Sequence, residues 1–90
     1  MKTIYKYRLL DISWTGVLQI PKRALFCGFD FQHKNPTLWF EVNTGEPTEA
    51  RSFEVVGTGH EVPDDAQHLA SIQINDNGRY WVWHLYERNM

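Results

Sequence analysis

Cys27 is the only cysteine among the 90 residues. No internal disulfide can therefore staple the domain, and a zinc ribbon or redox dithiol, each needing a cysteine pair, is excluded. No apolar run approaches the roughly 18–20 residues that a membrane span requires. The opening Met1-Lys2-Thr3-Ile4-Tyr5-Lys6-Tyr7-Arg8 lacks the continuous apolar stretch of a signal peptide, which makes a cytoplasmic location the expectation. Catalytic signatures are missing too. There is no Gly-x-Ser-x-Gly around Ser13, Ser52 or Ser71. His33, His60, His68 and His84 have no ligand spacing. No metal and no cofactor is implied.

What is present is a globular composition, with 42% hydrophobic and 14% aromatic residues and a formal charge of −2. A chain this short buries only about 60–65% of the surface its unfolded form exposes, so its four Trp, five Phe and four Tyr must supply much of one core. A single domain over residues 1–90 follows. The charge is uneven along the chain: residues 1–40 are net +4 and residues 41–90 net −6. Opposite faces of opposite sign would suit oriented docking, whereas interleaved strands would cancel the asymmetry.

Alternation with period two dominates. Leu38, Phe40 and Val42 alternate with Thr37, Trp39, Glu41 and Asn43, after Pro36. Leu25, Cys27, Phe29 and Phe31 alternate with Phe26, Gly28, Asp30 and Gln32, and Thr3, Tyr5, Tyr7 and Leu9 oppose Lys2, Ile4, Lys6 and Arg8. Residues 16–20 and 51–56 read the same way. Asn77-Gly78 accepts the positive φ values of a two-residue turn, so residues 69–76 and 79–87 form a hairpin. The pattern predicts an all-β fold: a small antiparallel β-sandwich or open barrel of about seven strands. One short helical turn is expected at Asp64-Asp65-Ala66-Gln67-His68, because Pro63 and early acidic residues suit a helix start.

Two segments are candidate sites. Gly57-Thr58-Gly59-His60 lets the backbone turn sharply and bring amides to an anion, and His60 with Asp64 or Asp65 is the one arrangement that suggests proton transfer. Val62 stands where a third glycine of a dinucleotide fingerprint would be, and no P-loop lysine follows. In the last strand Trp81, Trp83 and Leu85 share one face, and Tyr80, Val82, His84 and Tyr86 the other. Both faces are apolar, and one exceeds what a core needs. Trp39, Arg79, Trp81, Trp83, His84 and Tyr86 are therefore candidates for a protein interface. The net charge argues against general nucleic-acid binding.

Met1-Lys2-Thr3-Ile4-Tyr5-Lys6-Tyr7, Leu18-Gln19-Ile20-Pro21-Lys22, Leu38-Trp39-Phe40-Glu41-Val42, Phe53-Glu54-Val55-Val56-Gly57-Thr58-Gly59-His60 and Val82-Trp83-His84-Leu85-Tyr86-Glu87 together resemble a family of small uncharacterised all-β proteins encoded by bacteriophages and prophages. The most specific element is Val56-Gly57-Thr58-Gly59-His60 followed by Pro63. The resemblance implies a non-enzymatic phage accessory protein in the host bacterial cytoplasm that binds a host protein, such as a defence component or nuclease, or self-associates into an oligomer. The alternative is a nucleotide-like small ligand held by Gly57, Thr58, Gly59 and His60 with Asp64 and Asp65.

Overall fold

The computed structural model of the chain describes residues 1–89, in which seven antiparallel strands form two sheets. The strands are β1 (Lys2–Arg8), β2 (Thr15–Pro21), β3 (Leu25–Gln32), β4 (Asn35–Asn43), β5 (Thr48–Gly57), β6 (Ala66–Asp76) and β7 (Arg79–Arg88). The three-stranded sheet has the order β1-β4-β3 and the four-stranded sheet the order β2-β5-β7-β6. Neither closes, so the architecture is a sandwich of two open sheets and not a barrel.

Alternation explains most inward positions. Tyr5 pairs with Phe40 and Tyr7 with Leu38 on the core side of the smaller sheet, opposite the Lys6–Trp39 pair. In β3 the expected alternation fails, because a bulge between Phe26 and Gly28 resets the phase. Phe26, Phe29 and Phe31 consequently pack on the core, and Leu25 and Cys27 are exposed. Pro36 lies inside central strand β4 because β1 has already ended there, so β1 does not need the missing N–H; its carbonyl instead accepts from Leu9 N.

The helical turn expected at 64–68 does not form. Asp64 and Asp65 make a turn, and β6 begins at Ala66, pairing with β7 from Ala66↔Arg88 onward. A single helical turn fixes several residues for one hydrogen bond, whereas extending β6 adds ladder bonds to an existing strand. A second bulge between His68 and Ala70 brings the strand back into phase.

Phe40 from one sheet meets Phe53 from the other at 5.8 Å between ring centroids, and Leu38, Val42, Ile20, Leu9 and Leu85 complete a buried cluster around them. One side of this core ends in an ion pair. Arg51 Nε and Nη2 donate to the two carboxylate oxygens of Glu87 at 2.7 Å each, and Nη1 donates to the Ala24 carbonyl at 3.2 Å. The guanidinium also lies 5.0 Å over the Phe40 ring. The Glu87 hydrogen bond holds Arg51 firmly protonated, outweighing the opposing effect of its partial burial.

The sequence asymmetry in charge largely cancels in space. In the smaller sheet Lys2, Lys6 and Arg8 stand against Asp30 and Glu41; in the larger, Arg51, Arg79 and Arg88 stand against Glu49, Glu54, Asp76 and Glu87. The remaining acidic excess is in loops, chiefly Glu61, Asp64 and Asp65.

Two outcomes follow for stability. Glu87→Gln weakens the bidentate contact and should cost about 1–3 kcal/mol in chemical denaturation, less than a fully buried pair because both side chains keep some contact with water. The double change Arg51→Met with Glu87→Leu should recover much of that loss. Tyr7 provides a second check: burial, and then the neighbouring Tyr5, raise its phenol above the ordinary 10.0. A neutral phenol favours the fold, so this contribution is intact below about pH 10 and is lost as pH rises through the folded value. Tyr7→Phe should flatten the alkaline fall in stability.

Candidate functional site

The two layers do not end together. The buried core and the side chains packed against it reach the Ile72–Trp83 rung of the β6–β7 hairpin, and the next rung, Ile74–Trp81, lies beyond it. Trp81 is on the core-facing side of its strand and is still 47% exposed. At this open end Trp14 meets Trp83 edge-on at 4.8 Å and Phe31 at 5.0 Å. A surface depression of about 490 Å³ separates that cluster from Trp81, with Ile74, Lys34, Asn75 and Asp76 on its walls. The size is in the range of ligand pockets, and the lining is mainly apolar with opposite charges at the rim.

Several left-handed residues surround this end. Trp14 has φ 55° and Lys34 has φ 69°, and the neighbours His33 and Asn77 are also left-handed. His33-Lys34 and Asn77-Gly78 take it as two-residue hairpin turns do, whereas Trp14 adopts it at a cost. Trp14 is held there by Asp11, whose carbonyl accepts from Trp14 N at 2.9 Å, and by Val55 N donating to the Trp14 carbonyl at 3.0 Å. The Asp11 carboxylate accepts from both Ser13 Oγ and Ser13 N, which holds its pKa below the usual range. His33 and Lys34 form the tight turn between β3 and β4.

The Gly57–His60 segment borders the same rings. Gly57 closes β5 opposite Trp83, and a Cβ there would lie 3.0 Å from the Trp83 ring and 3.1 Å from His60 Nδ1. Only glycine fits between them without displacement. His60 N donates to the Gly57 carbonyl at 3.0 Å, and Gly59 has φ 89°. Gly57, Thr58 and His60 line a second depression of about 350 Å³ with Tyr80, Trp81, Val82 and Trp83. Asp64 and Asp65 do not join it. Asp65 bonds Asn89 N and lies 3.7 Å from Arg88, where Ala66 pairs with Arg88. Along β7 that is about five residues, roughly 17 Å, from the Gly57–Trp83 rung.

His84 and Tyr86 are on the other face of the larger sheet. Ser71 Oγ lies 2.8 Å from His68 Nε2 and 2.6 Å from His84 Nδ1, and His84 Nε2 lies 2.9 Å from Thr58 Oγ1. Thr58 also reaches the Val82 carbonyl at 3.4 Å. Since a carbonyl only accepts, Thr58 donates to it and accepts from His84 Nε2–H, and the Ser71 hydroxyl bridges His84 Nδ1 and His68 Nε2. The depressions described above do not extend to Ser71, and the relay ties β6, β7 and the loop after β5 together.

The interface candidates thus occupy separate surfaces. Trp81 and Trp83 are at the open end, Arg79 at the hairpin tip, and His84 and Tyr86 on the outer face. Trp39 lies on the outer face of the opposite sheet between Lys6 and Gly28. Sequence reading missed Trp14, Phe31, Ile74 and Lys34. Asp11-Ile12-Ser13 is the turn signal that marks Trp14. Among the described residues no group of three or more His, Cys, Asp or Glu could hold a metal ion, and no helix is long and apolar enough to cross a membrane.

No curated protein and no solved structure matches the chain. A family match extends over residues 1–90 and carries the description "Domain of unknown function (DUF7352)". The chain belongs to the DUF7352 family.

Proposed function

We propose that the protein is a non-enzymatic binding module that takes an apolar side chain of a partner protein at its open end, between Trp81 and the Trp14–Phe31–Trp83 cluster. The observation that carries this reading is Trp81, a large ring on the core-facing side of its strand with 47% of its surface exposed beside an apolar depression. Tryptophans in such positions dominate binding energies at interfaces. The left-handed Trp14 beside it supports the reading, since backbone strain is retained where the surroundings enforce it and clusters at functional sites. Asp65 stands at the Ala66–Arg88 end of the sheet and not beside His60, which separates the expected proton-transfer pair and favours binding. The resemblance to phage-encoded proteins supports a host bacterial protein, of the defence or nuclease kind, as the partner.

The second depression favours one further reading, a small anionic ligand such as a nucleotide held by Gly57, Thr58 and His60 against Trp81 and Trp83.

Trp81→Ala should leave folding stability near wild type, and should weaken binding to a protein captured from host lysate by about 2 kcal/mol, some thirtyfold. Trp39→Ala, on the opposite sheet, should bind as wild type. Equal affinity of Trp81→Ala and wild type in calorimetric titration would sink the proposal. For the ligand reading, a nucleotide at 100 times its Kd should raise stability by about 2.7 kcal/mol in a thermal-shift screen; no shift at millimolar nucleotide discards it.

A further inference from the structure

The sandwich has four open edges, β1, β3, β2 and β6, and three are protected against pairing with another chain. β1 carries Lys2, Lys6 and Arg8 within seven residues. β3 is bulged between Phe26 and Gly28 and carries Asp30. β2 is seven residues long and ends in Pro21, which has no N–H. β6 is the least defended over most of its length. It runs eleven residues, Ala66–Asp76, with no proline or glycine and no Lys, Arg, Asp or Glu before Asp76. Its bulge is confined to His68/Ala70, which leaves Ala70–Asp76 regular.

The turn fixes which backbone groups this edge presents. Asn77 and Gly78 have φ 52° and 84° and join Asp76 to Arg79, so Asp76–Arg79 is a hydrogen-bonded pair. Pairs alternate from there. Ile74–Trp81 and Ile72–Trp83 are therefore bonded across β6–β7, and Asn75, Gln73 and Ser71 turn their N–H and C=O outward. Among the described residues no backbone hydrogen bond outside the β6–β7 ladder uses them.

We infer that the β6 edge pairs with the β6 edge of a second copy, antiparallel about a two-fold axis at Gln73, joining two four-stranded sheets into one. In this register Gln73 bonds Gln73 of the second copy, and Ser71 bonds Asn75 in both directions. All of these are outward-facing backbone groups. The intervening pairs set Ile72 beside Ile74 on the core side, an apolar cross-strand contact. A charged edge would bring like charges together across the axis; the neutral run from Ala70 to Asn75 brings none. This self-complementarity selects a copy of the same chain as occupant. The edge adjoins the open-end depression, with which it shares Ile74 and Asn75, but its pairing is made by backbone groups and does not rest on what the depression binds.

Sedimentation velocity at micromolar to 100 μM protein should show a reversible dimer, and hydrogen exchange should slow with concentration at the amides of Ser71, Gln73 and Asn75. Gln73→Lys and Gln73→Glu each place like charges across the axis and should weaken dimerisation about fivefold or more. Mixed in equal amounts, they should form a heterodimer. Trp39→Ala, on the opposite sheet, should dimerise as wild type. A wild-type chain that is monomeric throughout, or a Gln73→Lys variant that dimerises as well as wild type, overturns the inference.

Discussion

Phe40 on Phe53 is the contact on which the two layers depend. With no disulfide, an inter-sheet attachment must come from side chains, and these two rings are both fully buried and come one from each sheet. Each is fixed by the strands that flank it: Phe40 sits in the central strand β4 between Tyr5 and Phe26, and Phe53 in β5 between Gly16 and Glu87. Arg51 then closes one side of the contact. Its guanidinium lies over Phe40 while its donors are used by Glu87 and the Ala24 carbonyl. The charge can approach the core because its hydrogen bonds are met and its stem packs on rings.

The open end follows from the unequal lengths of the layers that this contact joins. β6 and β7 have eleven and ten residues, whereas their counterpart β3 has eight. Phe31 reaches Trp83 and β3 ends one residue later at Gln32, before the His33-Lys34 turn, while the hairpin runs on from the Ile72–Trp83 rung through Ile74–Trp81 to Asp76–Arg79. A lone overhang of this kind would be an apolar liability. Here it is bordered by Trp14, which the Asp11–Ser13 turn holds in a left-handed conformation, and by Lys34. The groove walls are thus placed by turns on separate connections and not by one flexible loop.

Period-two alternation made seven strands and most of the core legible in the sequence, because a half-buried strand has no cheaper way to satisfy both faces. It failed where the chain gained a residue. The bulge at Phe26/Gly28 moved Leu25 to solvent and Phe26 to the core, and nothing in Leu25-Phe26-Cys27-Gly28 except the glycine hints at it. The acidic run after Pro63 read as a helix start, but the open edge of β7 offered Ala66–Asp76 a longer set of hydrogen bonds. The surplus of rings in residues 79–87 was visible; its location was not, because which face is left bare depends on where the opposite sheet stops. Trp39 belongs to another surface for the same reason: sequence distance carries no information about which sheet a strand joins.

The order of strands also sets a schedule for synthesis. β1 pairs with β4, with Lys2 opposite Asn43, and β2 pairs with β5, with Thr15 opposite Glu54. Both early strands must wait until the chain has been extended by some 35 residues, about 2–7 s at ordinary rates of translation. The β3–β4 and β6–β7 hairpins, by contrast, close within microseconds once made. During that delay the first two strands have no partner. Lys2, Lys6 and Arg8 in β1 and Pro21 at the end of β2 then serve a nascent chain as much as a finished edge, by discouraging premature pairing with neighbouring copies.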